Sequence, residues 1–380
     1  MKLLYISKLC LLSLIAFCAS GCFEKKEHEE YITIGVLLPL TGESSDEGLR
    51  ALNGLQLAKQ EINENGGILG KKLDIVIFND KGDKHYALQR YEALKESGVV
   101  AMIGSSYSDV TMVLAQEAEK DGIPLISPTA SNPLVTKDRK NVFRAIFTDN
   151  YQTEVMAKFA RNSLKAKTVL IMHRNDSGYM QIADFFRKAF VAQGGEVIAF
   201  ESYASESEYK SILGKHTEEP PDAIYCSEDY APAAQLLNDI LELGLNSSYM
   251  LGSDAWDGIL DYVSNPEVRK KIYYTVPFAF DDQDYEVERF VRSYFTKFSQ
   301  MPITGSASAY TSVYILSEAI KKAGSTNRDS LVLAMKENEF NSIMGRIKFD
   351  ENNNPHPNVY VVKIKDGKYI TYEKISHGGE

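Results

Sequence analysis

Residues 99–129 read VVAMIGSSYSDVTMVLAQEAEKDGIPLISPT. An apolar run, Val99 to Gly104, gives way to four hydroxyl-bearing residues, Ser105, Ser106, Tyr107 and Ser108. A helical pattern follows from Val110 to Lys120, Gly122 ends it, and PLISPT (124–129) is a second short strand. Near-continuous apolar strands separated by helices indicate a parallel sheet covered on both faces. Such sheets take ligands beyond the carboxyl ends of their strands, where these hydroxyls gather.

The same rhythm extends both ways. ITIGVLLPL (32–40) and LDIVIFND (73–80) read as strands, and Asn53–Asn63 and Tyr86–Lys95 as helices. It restarts with strands TVLIMHRND (168–176), EVIAFESYA (196–204), DAIYCSE (222–228) and SYMLGSD (248–254), with helices at about 179–193 and 231–243 between them. Residues 344–373 read as a turn and a β-hairpin around Asp366–Gly367. A chain of 380 residues is long for one core, so two α/β domains are expected. With 44% hydrophobic and 25% charged residues the chain reads as soluble and globular. Its net charge of −10 and scattered basic residues argue against nucleic acid as a partner.

The first 21 residues read as an address. Lys2 and Lys8 form a basic start, and Leu9–Phe17 is apolar but too short for a stable span. ASGC (19–22) resembles a bacterial lipobox, which makes Cys22 the expected site of lipidation and the mature N-terminus. The alternative is ordinary signal cleavage nearby. Residues 22–30 would then be a charged tether between lipid and fold. Cys10 and Cys18 leave with the signal, so Cys226 alone remains and no internal disulfide is expected.

GLQLAKQEINENGGILGKKLDIVIFND (54–80) resembles the signature segment of type I periplasmic binding proteins, in the leucine/isoleucine/valine-binding group of ABC-transporter solute receptors. Residues 101–136, LGSDAWDG (251–258) and IMGRIKFDENNN (343–354) continue the resemblance. It implies two doubly wound α/β lobes closing on a ligand. Lobe I would comprise 31–148 and 279–350, and lobe II 149–278 and 351–376. The three crossovers would fall near Phe147–Asn150, Val276–Phe280 and Asp350–Asn354.

An amino-acid ligand brings a carboxylate and an ammonium. By resemblance Ser108 binds the carboxylate, Ser131 contacts both charged groups, Thr129 offers its backbone carbonyl to the ammonium, and Asp254 pairs with the ammonium. Each charge-assisted hydrogen bond contributes about 1.5–3 kcal/mol, so four or five suffice for micromolar affinity. Structural alternatives stand beside these roles. Ser108 could merely cap the helix, Thr129 and Ser131 could be turn residues before Pro133, and Asp254 a turn acid beside Gly252. Trp256 is either core or cleft rim.

Side-chain selectivity would fall to Glu47, Ser177, Tyr107 and Tyr310. Glu47 and Ser177 stand where relatives often carry aromatic residues, although Glu47 could instead face solvent. Tyr107 takes the place of a cysteine that in some relatives is disulfide-bonded, its partner position here being Gly82. Tyr310 keeps an aromatic residue of the pocket wall. Losing two aromatic residues and gaining an acid argues against a branched-chain ligand. A polar or basic amino acid, a short amide or another small acid fits better.

Catalysis finds no support. The six histidines lack metal-ligand spacing, no G-x-S-x-G occurs, and GGILGKK (66–72) precedes a strand and lacks the P-loop spacing. The expected protein is therefore a monomeric, lipid-anchored solute receptor of the cell envelope, without cofactor or metal, that delivers an amino acid or related molecule to an ABC permease. The alternative is a ligand sensor or envelope scaffold of the same fold.

Overall fold

A computed structural model describes residues 30–42, 45–263, 265–355 and 357–375. The signal segment, Cys22 and the tether up to residue 29 lie outside the described residues, as does residue 376 at the expected end of lobe II.

The first half lays down β1 (Tyr31–Leu38), α1 (Ser45–Glu64), β2 (Lys72–Asn79), α2 (Lys84–Glu96), β3 (Ala101–Ile103), α3 (Ser108–Asp121), β4 (Leu125–Ser127) and β5 (Val142–Arg144). Their sheet has the order β2-β1-β3-β4-β5, and β1–β3, β3–β4 and β4–β5 pair in parallel. Side chains alternate across it with period two. Ile34, Val36 and Leu38 face one core, and Leu37 faces the other with Leu94 and Leu114. Each such fully buried aliphatic side chain contributes about 1.5–3 kcal/mol.

A second sheet follows, with α4 (Asp149–Asn162), β6 (Thr168–Arg174), α5 (Ser177–Ala192), β7 (Glu196–Tyr203), α6 (Glu206–Gly214), β8 (Ala223–Ser227), α7 (Tyr230–Glu242), β9 (Tyr249–Gly252), α8 (Pro266–Arg269) and β10 (Ile272–Val276). The chain then returns to the first core through α9 (Tyr285–Phe298), α10 (Thr304–Ala323), α11 (Arg328–Glu337), β11 (Glu339–Ser342) and β12 (Gly345–Lys348). It ends in β13 (Val359–Lys365) and β14 (Lys368–Ile375) on the second sheet. That sheet has the order β14-β13-β10-β9-β8-β6-β7, parallel from β10 to β7 and antiparallel at β13 and β14. Again the faces alternate. Leu170, Met172, Ile224 and Cys226 pack on one side, and Val169, Ile171, Ala223 and Tyr225 on the other.

The architecture is thus two α/β lobes, and the chain changes core between β5 and α4, between β10 and α9, and between β12 and β13. The terminal hairpin turns at Asp366 (φ 51°) and Gly367 (φ 72°), the pair of positive φ values that a tight two-residue turn requires. In lobe I, α1 and α10 touch backbone to backbone: a Cβ on Gly54 would lie 2.1 Å from the Ser306 carbonyl oxygen.

Two elements differ from expectation. Helix α1 starts at Ser45, eight residues before the apolar pattern, because its first turns bury only small residues, Gly48 and Ala51. Helix α3 starts at Ser108 itself, with Tyr107 in the cap position and no side-chain cap bond. Ser108 is therefore not the helix cap.

Candidate functional site

Within each parallel array the strands point the same way, so the segments leaving their carboxyl ends share an edge. In lobe I these segments lead from β1 to Glu47, from β3 to Ser105–Ser108, and from β4 to Thr129–Asn132. In lobe II they lead from β6 to Ser177, from β8 to Glu228–Tyr230, and from β9 to Asp254–Asp257.

Glu47 sits in the first turn of α1, half-buried. Burial pushes its carboxyl up to about 8, helped by the negative charges of Asp229, Asp254 and Asp257 and opposed by a hydrogen bond with the Thr129 side chain. The Thr129 hydroxyl also donates to the Ser106 carbonyl oxygen at 3.0 Å.

Asp254 opens a short 3-10 turn after β9. The Gln152 side chain of α4 holds it at two points. Its Nε2 donates to Asp254 Oδ1 at 2.8 Å, and its Oε1 accepts the Asp254 backbone N–H at 3.2 Å. Thr275 Oγ1 donates to the same Oε1 at 3.0 Å, and Nε2 also reaches Asp149 Oδ1 at 3.1 Å. Burial, with Asp149 next, pushes the Asp254 carboxyl up to about 7. No ion pair reaches Glu47 or Asp254 among the described residues. Two arginines of the same region are engaged with other acids: Arg174 pairs with buried Glu228 at 2.7 Å, and Arg50 with Asp46 at 2.9 Å.

The lobes touch around this cluster. Asn132 Nδ2 donates to Gln181 Oε1 at 2.6 Å, and the Thr304 N–H at the start of α10 donates to Asp257 Oδ2 at 2.6 Å. The Asp257 carboxyl is also raised by burial.

The structure brings Glu47, Thr129, Asp254 and Tyr107 together. The Tyr107 hydroxyl feels the Glu47 and Asp229 charges and is raised chiefly by burial. Its ring lies against Gly82, 3.2 Å from where a Cβ would stand. Ser131 and Ser108 border the cluster. The Ser131 side chain bonds Asp149, and Ser108 Oγ accepts the Asn132 N–H at 3.2 Å.

Tyr310 and Ser177 are not brought into this cluster. Tyr310 is 3% exposed inside the lobe I core, its ring 4.7 Å from Phe290 and its hydroxyl donating to Glu61 Oε2 at 2.6 Å. It stands six residues into α10, about 9 Å along the axis from the end that meets Asp257. Ser177 is exposed in the first turn of α5. Two residues on, the Tyr179 hydroxyl donates to Asp229 Oδ2 at 2.7 Å. Trp256 belongs to the core: it is fully buried beneath Gly252.

Sequence reasoning missed Asp229, Asp257, Tyr179 and Gln152. For Asp229 a signal existed, since it follows the apolar strand DAIYCSE as Ser105 follows its own strand. The double grip of Gln152 is a tertiary contact between segments 102 residues apart and leaves no local trace.

Two α/β lobes with polar groups converging from the carboxyl ends of both sheets define the class of bilobal solute-binding proteins. The sequence pattern of the family described as periplasmic binding protein matches residues 31–368. The chain belongs to that family, in its Leu/Ile/Val-binding type. It is 25% identical over 378 residues to Leu/Ile/Val-binding protein homolog 1 of Brucella suis, covering 97% of this chain and 99% of that one. Among solved structures, a leucine-binding protein from Thermotoga maritima superposes with a TM-score of 0.82 at 28% identity, covering 91% of this chain and 99% of its own. A branched-chain amino acid transporter substrate-binding protein from Streptococcus pneumoniae, in complex with isoleucine, gives 0.81 at 26% identity and covers 91% and 99%. Members of this family are extracytoplasmic binding proteins of ABC transporters rather than enzymes.

Proposed function

We propose that this chain is a solute-binding lipoprotein that takes an amino acid or a related small polar molecule between its lobes and delivers it to an ABC permease. One observation carries the reading: Glu47 of one lobe lies against Gly305, beside the Thr304 N–H that binds Asp257 of the other lobe, Asp254 stands three residues before Asp257 in the grip of Gln152, and neither Glu47 nor Asp254 has an ion pair among the described residues. A buried carboxylate without a cation is costly, and a ligand ammonium at Asp254 offsets that cost while the rest of the ligand reaches the other lobe. Ser108, Thr129, Ser131 and Tyr107 supply further polar contacts, and Ser177 lies at the rim. Lobe I takes residues 31–148 and 279–350, and lobe II takes 149–278 and 351–376. ASGC supports anchoring through Cys22. The receptor acts as a monomer and carries out no catalysis.

Uptake of the twenty radiolabelled amino acids by cells with and without this chain tests the assignment. Loss of uptake of at least one, restored by the wild-type chain, is the expected result. Unchanged uptake of an amino acid that the purified chain binds would instead make it a sensor.

A further inference from the structure

The acids at the lobe junction outnumber what one ammonium can satisfy. Glu47 Cγ lies 3.6 Å from where a Cβ on Gly305 would stand, and the neighbouring Thr304 N–H binds Asp257 of the other lobe at 2.6 Å, so acids of both lobes meet at the start of α10; the charges of Asp229, Asp254 and Asp257 bear on Glu47. Two have a clear partner: Asp229 accepts the Tyr179 hydroxyl, with Arg174 Nη2 at 3.9 Å, and Asp257 accepts the Thr304 N–H. Among the described residues the Glu47 and Asp254 carboxyls are held only by the neutral side chains of Thr129 and Gln152 and by the Asp254 backbone N–H. They come from different lobes, so a single ammonium could relieve one while leaving the other against an apolar side chain.

A separate observation at the same edge points to a ligand. The Ser106 hydroxyl is 6% exposed and has no hydrogen-bond partner among the described residues. Its neighbour Tyr107 feels the Glu47 charge, and Thr129 bonds both the Ser106 carbonyl and Glu47. A buried hydroxyl without a partner costs free energy unless a bound group completes it. A ligand carboxylate is such a group.

We propose that the ligand is a basic amino acid: two cationic groups, one for Asp254 and one for Glu47, and a carboxylate within reach of the serine hydroxyls at the end of β3. The inference rests on the amino-acid receptor reading and narrows it. A leucine-like zwitterion has no net charge and leaves Glu47 facing hydrocarbon; a lysine-like or arginine-like ligand adds one positive charge where cationic side chains are engaged elsewhere. The raised carboxyl of Glu47 agrees, since a cation at that place would draw out its proton.

The test is isothermal titration of the chain lacking residues 1–22 with L-lysine, L-arginine, L-leucine and L-norleucine, which resembles lysine without the ammonium. Lysine or arginine should bind at least a hundredfold more tightly than both neutral ligands. In Glu47→Gln that preference should fall about tenfold or more. Leucine or norleucine binding as tightly as the basic pair would overturn this proposal and leave the receptor reading standing. Preference unchanged in Glu47→Gln would also overturn it. Binding of none of the twenty amino acids in a parallel thermal-shift panel would overturn both.

Discussion

Gln152 holds Asp254 with both ends of one amide: Nε2 donates to the carboxylate at 2.8 Å, and Oε1 accepts the backbone N–H of the same residue at 3.2 Å. The amide cannot flip without losing every partner, because Thr275 donates to the oxygen and Asp149 accepts from the nitrogen. Asp254 is thus oriented before any ligand arrives, which lowers the ordering cost of binding.

Gln152→Met keeps the length and removes the grip. Urea unfolding should show a loss of about 1–3 kcal/mol, since the Thr275 hydroxyl and the Asp254 N–H lose their acceptor. Ligand affinity should fall about tenfold or more. Gln152→Glu should be worse for stability, because it adds a carboxylate between Asp149 and Asp254.

Stability of the empty protein should fall as pH rises. Glu47 and Asp254 titrate near 8 and near 7 in the fold, against ordinary values of 4.5 and 3.8. Both therefore bind protons more tightly when folded. Their contribution is complete below about pH 4 and is lost as pH rises through 7 and 8. The slope is at most about 1.4 kcal/mol per pH unit for each group within its window. Melting temperatures from pH 4 to 9 should decline less steeply in Glu47→Gln and Asp254→Asn than in wild type. Parallel curves would contradict the assignment of these two groups.

Helix contact in lobe I predicts a sharp contrast between two glycines. Gly54→Ala drives a methyl into the Ser306 carbonyl and should cost about 1–3 kcal/mol, read as a lower urea midpoint. At Gly305 a Cβ would meet Glu47 Cγ at an ordinary 3.6 Å, so Gly305→Ala should leave the midpoint within about 0.5 kcal/mol.

Anchoring has its own readout. Wild-type chain should partition with membranes and carry an acyl group by mass spectrometry, whereas Cys22→Ser should be soluble. An unacylated wild-type chain would remove the anchor from the account.

Much of the fold was legible because strand runs such as 99–104 and 222–228 are apolar throughout, as strands covered on both faces must be. Glu47, Thr129 and Asp254 were legible only through family resemblance, and the structure does group them. Tyr310 shows the limit. Its place in the sequence suits the cleft, but α10 carries it into the core, where Phe290 and Glu61 take its ring and hydroxyl. At the start of α5 the tyrosine that reaches Asp229 is residue 179, not the position 177 that resemblance marks, because a helix rotates by about 200° over two residues. Asp257 was invisible because its partner, the Thr304 N–H, lies 47 residues away.

The central claim is that Asp254 and its opposite lobe hold an amino acid between them. The most direct measurement is a thermal-shift panel of the twenty amino acids on wild type and Asp254→Asn at neutral pH. Ligand at a hundred times its Kd stabilises by about 2.7 kcal/mol. The account predicts a clear rise in melting temperature for at least one amino acid in wild type, and a tenfold to hundredfold weaker response to it in Asp254→Asn. No shift with any amino acid, or an undiminished shift in the variant, would contradict it.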